Sequence, residues 1–480
     1  MKVIDSCNGE NMNNALLKWV ISIALVGPLH GQAADKVDLI IQGDYLITMD
    51  DGDSVVRDGA VAVLRSEIVA VGDRSDIHSR FISERVISGK DKVLMPGLIN
   101  GHTHSSMTLF RGVADDLKLM SWLNDYIFPL EAKFVNADFV RIGTQLACWE
   151  MIRGGTTTFV DMYFYPDTIA EVVSSCGLRA IIAAPTIDFP SPGFSGWDDS
   201  FAAAQAFVKR WKGRNSRITP ALGPHAPYTV RPEHLEQTVT AAKSLGVPIS
   251  IHLAESPSEM EQVRRRYENT SVNHVARLGL LDVPLIGAHM IHLTDDEIQL
   301  LAGKQVGAIH NPTSNLKLAS GIARVPDMLA AGVLVGLGTD GAASNNDLDL
   351  WEEMRLAALI HKQAKQDPTV VPAITALTMA TSRGAAAIGL QSSVGRLKAG
   401  MQADMIQVSV ASPRLAPLYD LVSHMVYMVD SSDVTTTVVA GQVLMLEGEV
   451  LTLDGEYVRQ QALAKSKEIM VAVKRRSHPE

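Results

Sequence analysis

The chain has 480 residues, of which 46% are hydrophobic and 20% are charged, and its formal net charge is −10. This length suits a large domain of about 250 to 300 residues with a smaller one attached. The acidic balance argues against nucleic acid or an anionic membrane surface as a partner. The three cysteines form neither a CxxC metal motif nor a disulfide framework, and Cys148 and Cys176 lie in helix-like segments that predict buried thiols.

Residues 1–33 have the layout of a secretory leader. A lysine precedes an apolar run at 19–29, and residues 31–33 place small side chains at the −3 and −1 positions of a cleavage site. The run is too short to span a bilayer as a helix, so we expect no stable membrane anchor. Two acidic residues near the start suit a signal peptide badly, which makes Met12 an alternative start. The leader predicts a periplasmic or secreted protein, and the alternative is a cytoplasmic enzyme with an N-terminal tail.

Short strand patterns occur at both ends of the chain behind this leader. Residues 35–94 contain apolar runs at 37–41, 59–64 and 68–72, and residues 397–460 contain similar runs at 404–408 and 434–441. Strands at both ends, with a different pattern between them, predict one small β-sandwich domain formed from both chain ends. Residues 461–480 are predicted to form a C-terminal helix or tail.

The insert at residues 95–396 alternates short apolar strands with amphipathic helices. Strand candidates lie at 98–99, 157–160, 180–183, 218–222, 249–252, 285–289, 307–310 and 334–338. Helical patterns, such as those at 232–245 and 295–302, separate most of them. Repeated strand–helix units in this number predict an α/β fold, a parallel (β/α)8 TIM barrel.

His102 and His104 end the first strand candidate of this barrel. Two residues apart on an extended strand, their imidazoles project to the same face and can close on one metal ion. A histidine-bound metal lowers the pKa of its water to about 7, which produces hydroxide at neutral pH. The pair alone is weak evidence, because two core histidines would satisfy the same pattern.

Further polar residues follow other strand candidates, at the end of a (β/α)8 barrel where chemistry occurs. His252 and, three residues on, Glu255 follow the fifth candidate, His289 ends the sixth, and Asp340 follows the last. Each alone has a structural explanation, such as a helix cap or a hydrogen-bonded core histidine. Together they predict a site at one end of the barrel.

Three histidines and an aspartate make a nitrogen and oxygen site for one divalent metal with room for water. The predicted ligands are His102, His104, His252 and Asp340. Glu255 lies past its strand end, where it suits proton transfer better than metal ligation. His289 is a candidate for orienting or polarising the water.

At these motifs the chain resembles the amidohydrolase superfamily, and within it the 5-methylthioadenosine/S-adenosylhomocysteine deaminases, over nearly everything after the leader. The matching segments are 101–104, 106–117, 223–229, 252–255, 314–321 and 338–347. The resemblance implies one zinc ion per chain at the four ligand positions and a small-molecule nucleoside substrate. It also implies substrate contacts at Glu131, His225 and Glu255, at Ser344 within the last segment, and a homo-oligomer.

The activity that this resemblance implies is hydrolytic deamination of an adenine nucleoside. Asp340 would help to deprotonate the attacking water, His289 would orient it, and Glu255 would give a proton to N1 of the adenine. Glu131 would accept hydrogen bonds from the ribose hydroxyls; from the residues alone, it would be an exposed residue in the first turn of a helix.

The sequence departs from the family at the position that binds the amino-acid tail of S-adenosylhomocysteine. Members that bind this tail carry an arginine on the strand after Gly-Leu-Arg-Ala, whereas this chain has Arg179 within that motif and an apolar strand after it. A carboxylate would lack its bidentate partner, which favours methylthioadenosine or adenosine-like substrates, unless Arg153 compensates.

Two other functions stay open from the sequence. The same site would serve an amidohydrolase acting on amino- or chloro-heteroaromatics, of the triazine, guanine or pterin type. A catalytically inactive barrel used as a scaffold belongs to another class, and it predicts gaps in the ligand set. Every ligand and proton-transfer role has a candidate in this chain, which argues against that scaffold.

Overall fold

The computed structural model describes residues 34–50, 52 and 55–477. The predicted leader, with Cys7 and the alternative start Met12, lies outside these residues. Within the described ranges we find no helix whose length and apolarity would carry it across a lipid bilayer.

Eight parallel strands form the central sheet, and each pairs with the next one along the chain. They are Leu98–Thr103, Thr156–Met162, Arg179–Thr186, Ile218–Pro224, Ile249–Leu253, Leu285–His289, Val306–His310 and Leu334–Leu337. The backbone N–H of Asp340, just past the eighth strand, donates to the carbonyl of His102 in the first at 3.0 Å. This contact closes the sheet on itself, and the predicted (β/α)8 barrel is confirmed.

Most of the helices connect these strands and cover the outside of the barrel, whereas Arg74–Arg80 packs against strands of the N-terminal part of the chain. The longer ones are Ala137–Gly154, Pro166–Cys176, Trp197–Trp211, Pro232–Leu245, Pro257–Tyr267 and Leu350–Lys365. Shorter ones are Arg74–Arg80, Leu119–Ser121, Phe128–Phe134, Ser271–Arg277, Asp295–Leu301, Pro312–Lys317, Val325–Ala330, Ala373–Met379, Ser382–Ala387 and Leu421–Tyr427. A π-helical segment covers Trp122–Ile127, and 3-10 turns cover Ser105–Phe110, Leu280–Asp282, Pro413–Leu415 and Ser431–Asp433.

Local sequence explains why two of these helices begin and end where they do. Pro232–Leu245, predicted from its periodicity, has proline at its first position and ends at Gly246, whose φ of 59° is left-handed. Asp295–Leu301 begins with a capping box, in which the side chains of Thr294 and Glu297 each accept the other's backbone N–H. It ends one residue before the predicted boundary.

Alternation along the strands fills the barrel with apolar side chains. Ile99, Val160, Ile181, Ile286 and Ile309 are buried together inside it. The polar residues that end these strands lie at one opening of the barrel, because the carboxyl ends of its eight parallel strands meet there. Cys148 and Cys176 are buried free thiols in helices, as their sequence context predicts.

Strands from the two chain ends form a second, nine-stranded sheet. Its members are Leu39–Ile47, Val55–Leu64, Glu67–Asp73, Val86–Ile87, Lys92–Pro96, Met405–Ser409, Val434–Val439, Gln442–Leu446 and Glu449–Val450. Lys92–Pro96 joins the two halves, because it pairs with Leu39–Ile47 on one side and with Met405–Ser409 on the other. Asp35–Lys36 and Phe81–Ile82 pair separately.

The two halves of this terminal sheet share one apolar core. Leu46 and Leu94 from the N-terminal half are buried with Met405 and Val438 from the C-terminal half. One nine-stranded sheet, built from both chain ends, thus encloses a common core. The last element of the described residues is a long helix, Gly455–Ser477, which begins before the predicted C-terminal segment at 461.

The terminal sheet contacts the barrel at the end opposite the polar strand ends. Arg179, at the start of the third barrel strand, forms a buried two-point ion pair with Asp404, with N···O distances of 2.8 and 3.1 Å. Arg153, near the end of a barrel helix, donates to the carbonyl of Gly448 at 3.1 Å. Arg153 therefore lies away from the polar strand ends and does not compensate for the missing arginine.

Candidate functional site

His104 and His252 are fixed in defined tautomers at the open end of the barrel. Nδ1 of His104 lies 2.6 Å from the carbonyl oxygen of Met162, and Nδ1 of His252 lies 2.8 Å from that of His225. Carbonyl oxygens only accept hydrogen bonds, so both Nδ1 atoms carry protons and both Nε2 atoms present lone pairs. These two Nε2 atoms are 3.2 Å apart. Such lone pairs repel each other unless a cation or a proton lies between them.

Asp340 and His102 complete this cluster. Oδ1 of Asp340 lies 3.3 Å from Nε2 of His104 and 3.4 Å from Nε2 of His102. Neither ring nitrogen of His102, which is buried, has a hydrogen-bond partner among the described residues. Leaving such a group unpaired costs about 1 to 3 kcal/mol, which a bound ion would offset.

The protonation states of this cluster suit metal ligation. Burial lowers the pKa of His102 to about 4 and the pKa of His252 well below its usual range. Burial raises the pKa of Asp340, but the adjacent imidazoles of His102, His289 and His104 outweigh it and bring that pKa well below its ordinary value. Neutral imidazoles and an ionised carboxylate are the forms that bind metal. The cluster is therefore a candidate site for a divalent metal ion.

Two hydroxyls hold the other oxygen of Asp340. Ser314 and Ser344 donate to its Oδ2 at 2.7 and 2.8 Å, and the backbone N–H of Gly341 donates to Oδ1 at 2.8 Å. Ser344 is buried behind Asp340 and does not line the adjoining cavity. Its position suits orienting the carboxylate, and the substrate contact expected from the sequence stays a prediction. The sequence pointed to no role for Ser314.

His289 lies against the same cluster and is oriented by an amide. Its Nδ1 is 2.9 Å from Oδ1 of Asn315, and its Nε2 is 3.9 Å from Oε1 of Glu255. Burial acts to lower the pKa of His289, but the carboxylates of Glu255 and Asp340 outweigh burial and raise it. The structure thus brings His289 next to both predicted proton-transfer groups.

Glu255 is buried close to His289, and the backbone around it is held by Glu259, a residue that the sequence analysis missed. The carboxylate of Glu259 accepts the backbone N–H groups of Ala254 and Glu255, each at 2.8 Å. Burial raises the pKa of Glu255. The nearby His289 acts to lower this pKa, and the charge of Asp340 acts to raise it further. The sequence signal for Glu259 is the Ser-x-x-Glu pattern that begins with Ser256, a motif typical of helix starts. In this helix the carboxylate of Glu259 accepts from the two residues before Ser256 instead of from Ser256 itself.

Left-handed backbone occurs at several of these strand ends. Ala254, His289, Met290 and Asp340 have φ values of 52°, 75°, 43° and 63°. Non-glycine residues adopt this region at a cost of order 1 to 3 kcal/mol, and such residues cluster at functional sites. The backbone strain supports a functional role for this end of the barrel.

A cavity of about 920 Å³, open to solvent, lies over the cluster. His104, His225, His252, Glu255, His289 and Asp340 line its floor, and Glu131 lies on its wall. The upper wall is apolar and includes Trp122, Phe128 and Phe189. Among the side chains that line it in the described part of the chain, none is a lysine or an arginine.

Glu131 is buried, contrary to the exposed helix position that its local sequence indicates. The helix Phe128–Phe134 lies over the mouth of the barrel and directs this carboxylate into the cavity. Burial raises the pKa of Glu131 to about 7, although the hydroxyl of Tyr163 beside it acts in the opposite direction.

His225 follows the fourth barrel strand and lines the same cavity. Its Nδ1 lies 3.0 Å from the hydroxyl oxygen of Thr229, which already donates its own proton to the carbonyl of Ala226. Nδ1 is therefore the donor, and Nε2 is left with a lone pair. Burial, with the nearby His104 and His102, lowers the pKa of His225 to about 3 and keeps it neutral.

Comparison with known proteins agrees with this architecture. The model of the amidohydrolase family matches residues 93–444 of this chain. A protein of Pelotomaculum thermopropionicum called 5-methylthioadenosine/S-adenosylhomocysteine deaminase is 44% identical over 426 residues, covering 88% of this chain and 97% of the relative. A protein of Methanosarcina mazei called 5′-deoxyadenosine deaminase is 42% identical over 91% of this chain and 99% of its own length.

A solved structure shares the whole architecture. The crystal structure of an adenosine deaminase from Xanthomonas campestris, with bound zinc, superposes with a TM-score of 0.89 at 38% sequence identity. The match covers 91% of this chain and 100% of that one.

Proposed function

The chain belongs to the amidohydrolase family, and from this premise we propose that it is a zinc-dependent hydrolytic deaminase of adenine nucleosides. The observation that carries the proposal is the 3.2 Å approach of two Nε2 lone pairs, on His104 and His252, beside the ionised Asp340. This donor set lies at the floor of a cavity that also presents two buried carboxyls, Glu255 and Glu131. The names of the relatives support adenine nucleosides as the substrate class.

His102, His104, His252 and Asp340 would hold the ion. When bound there, zinc supplies Lewis acidity and lowers the pKa of water to about 7. His104, His252 and Asp340 are held for this task by the Met162 and His225 carbonyls and by the Ser314 and Ser344 hydroxyls. Such outer contacts orient the ligands and raise their basicity.

Proton transfer is assigned to three groups of the floor, one of which, Asp340, would also hold the ion. Asp340, ionised because its pKa is low, accepts a proton from the attacking water, and His289 orients that water. Glu255, whose pKa is raised, donates a proton to N1 of the adenine. Protonation of N1 makes C6 a better electrophile, and the water oxygen bonds to C6. The proton held by Asp340 then passes to N6, the C6–N6 bond breaks to release ammonia, and the C6 hydroxyl returns a proton to Glu255 as the carbonyl forms.

Recognition of the nucleoside is assigned to Glu131 on the cavity wall and to His225 on the floor. Glu131 accepts hydrogen bonds from the ribose hydroxyls when it is ionised, and His225 offers the lone pair of Nε2 to the substrate. An anionic amino-acid tail finds no cation among the side chains that line the described cavity. We therefore favour methylthioadenosine, 5′-deoxyadenosine or adenosine over S-adenosylhomocysteine.

Ammonia release by zinc-loaded protein tests the proposal. Adenosine, methylthioadenosine, S-adenosylhomocysteine and a triazine would be compared at equal concentrations, with the His252→Ala variant as the control that loses a ligand. We expect turnover of the first two, weaker turnover of S-adenosylhomocysteine, and one zinc per chain by elemental analysis. Turnover of the triazine alone, or equal turnover by wild type and His252→Ala, would refute the assignment.

Export and self-association are additional proposals. Residues 1–33, outside the described part of the chain, carry the secretory pattern. N-terminal sequencing of the protein from periplasmic and cytoplasmic fractions distinguishes a processed leader from an intact tail. Light scattering of the purified protein tests the homo-oligomer that the family resemblance implies.

A further inference from the structure

One side of the cavity mouth is formed by the segment 187–194, called here the wall segment. Its residues Ile187, Phe189 and Pro190 line the cavity. The ring of Phe189 packs edge-to-face on Phe128 with centroids 5.8 Å apart, and Phe128 lies one helical turn before Glu131. Because Phe189 is partly exposed, the wall segment lies on the solvent side of the proposed ribose site.

The beginning of the wall segment is held by Asp188. Its carboxylate accepts the backbone N–H of Arg231 at 2.8 Å and Nδ1–H of His234 at 2.6 Å. The backbone N–H of Asp188 also donates to the carbonyl of Thr229 at 3.1 Å. These contacts join the wall segment to the start of the helix Pro232–Leu245, where a carboxylate is favoured by the helix dipole.

The end of the wall segment leads into Trp197, which stacks on the same imidazole. The rings of Trp197 and His234 are parallel within 3°, with centroids 4.1 Å apart, and both are buried. Asp199 ties down the intervening turn by accepting the backbone N–H groups of Ser195 and Gly196. One histidine side chain therefore contacts Asp188 at the beginning of the wall segment and Trp197, three residues beyond its end.

The hydrogen bonds fix the tautomer of His234. Nη2 of Arg231 lies 3.2 Å from its Nε2, and a guanidinium only donates. Nε2 therefore accepts, and the single ring proton is on Nδ1, facing Asp188. With both ring nitrogens engaged and one face stacked, the imidazole is held in one orientation.

We propose that His234 is a positioning residue for nucleoside recognition. It holds the wall segment in place, and the 5′ substituent of the substrate packs against the apolar surface of that segment. The inference rests on the proposed function, since it places the base at the floor and the ribose at Glu131. The 5′ end then faces the mouth, where Phe189 and Pro190 offer carbon surface and no charge. Compact, uncharged 5′ groups such as methylthio fit this surface.

A second cavity next to the wall segment gives that segment room to move if the contacts of His234 are lost. This cavity of about 740 Å³ lies on the far side, lined by Ala184, Phe194 and Ala204 among others. Pro185 lines both cavities. Without the contacts of His234, the wall segment can shift into that space, and the 5′ substituent loses its contact.

Two substitutions of His234 separate its hydrogen bond from its ring stacking, and a substitution of another histidine provides a matched control. His234→Phe keeps a ring on Trp197 but loses the hydrogen bond to Asp188, whereas His234→Asn keeps a donor and loses the ring. His274→Phe is the control, because His274 is equally buried and stacks on Tyr267 at 4.1 Å, with no contact to the wall segment.

Steady-state kinetics with methylthioadenosine and adenosine, together with Tm, test the proposal. We expect each His234 variant to raise KM for methylthioadenosine about tenfold while kcat changes less than threefold, with a smaller rise for adenosine. His274→Phe is expected to leave both KM values unchanged.

Equal KM values for the His234 variants and the control, in folded protein, would overturn the proposal. Should His234→Phe fail to fold, Asp188→Asn carries the same comparison, because it weakens the same hydrogen bond from the surface side. Wild-type protein that deaminates no adenine nucleoside would refute the proposed function itself. Wild-type turnover without a KM change in the variants refutes only the role of His234.

Discussion

Replacing Glu255 by Gln is expected to lower kcat by at least about 10³-fold, within the 10² to 10⁴ range of general acid catalysis. Glutamine keeps the size of the side chain but has no acidic proton to give to N1. Glu255 is only 6% exposed, so bulk water has little access to replace the lost donor. At 1.36 kcal/mol per factor of ten, the loss corresponds to about 4 kcal/mol of transition-state stabilisation.

The same substitution is expected to leave metal binding intact. Glu255 is outside the proposed ligand set, and its Oε1 lies 3.9 Å from Nε2 of His289, which is also outside that set. Glu259→Gln provides the matched comparison, since Glu259 is also buried but contacts the backbone of Ala254 and Glu255 and does not line the cavity. That variant is expected to lose less than tenfold in kcat, because amide oxygen still accepts one of the two hydrogen bonds.

A continuous assay of ammonia release from adenosine, over a range of pH, measures both variants, and elemental analysis measures their zinc. The raised pKa of Glu255 extends its protonated form to higher pH, so wild-type activity should fall on the alkaline side as this proton is lost. Glu255→Gln should lack that alkaline limb. A Glu255→Gln enzyme with full zinc and a kcat within threefold of wild type would show that the proton reaches N1 from another group.

Three further outcomes follow from contacts described above. Because Glu131 has a pKa raised to about 7 and binds ribose as the carboxylate, KM for adenosine should fall as pH rises through about 7. The KM of the Glu131→Gln variant, measured over the same pH range, should not follow this trend. Ser314→Ala removes a donor to Asp340, and competition with a zinc-binding dye should show metal affinity reduced about 10- to 100-fold. Arg179→Met leaves the buried Asp404 unpaired, and urea unfolding should show a loss of about 3 to 5 kcal/mol, whereas an unchanged midpoint and slope would contradict this account.

The sequence predicted the barrel and the positions of its polar residues because both depend on local periodicity. Apolar runs of strand length gave the eight strands, and the strand ends then identified His102, His252, His289 and Asp340 as neighbours in space. This inference needs only the geometry of parallel strands, whose carboxyl ends meet at one opening.

Residues that support the site were not predictable in the same way. Asn315 contacts His289, and Ser314 contacts Asp340, through separations of 26 residues that no local pattern encodes. Glu131 has the local sequence of an exposed helix turn and is buried only because its helix leans over the barrel mouth. The hydrogen bond from Ser344 to Asp340 likewise joins side chains that no periodic pattern relates.

The direct passage from the terminal sheet into the first barrel strand has a consequence for how this protein can be divided. Only Gly97 separates Lys92–Pro96 from Leu98–Thr103, and a side chain there would collide with Thr157 at 2.1 Å. The histidine-bearing strand is therefore aligned by hydrogen bonds made in another layer of the molecule. Excising the barrel as an independent catalytic module would remove the scaffold that sets its register, so grafts and chimaeras must carry both layers together.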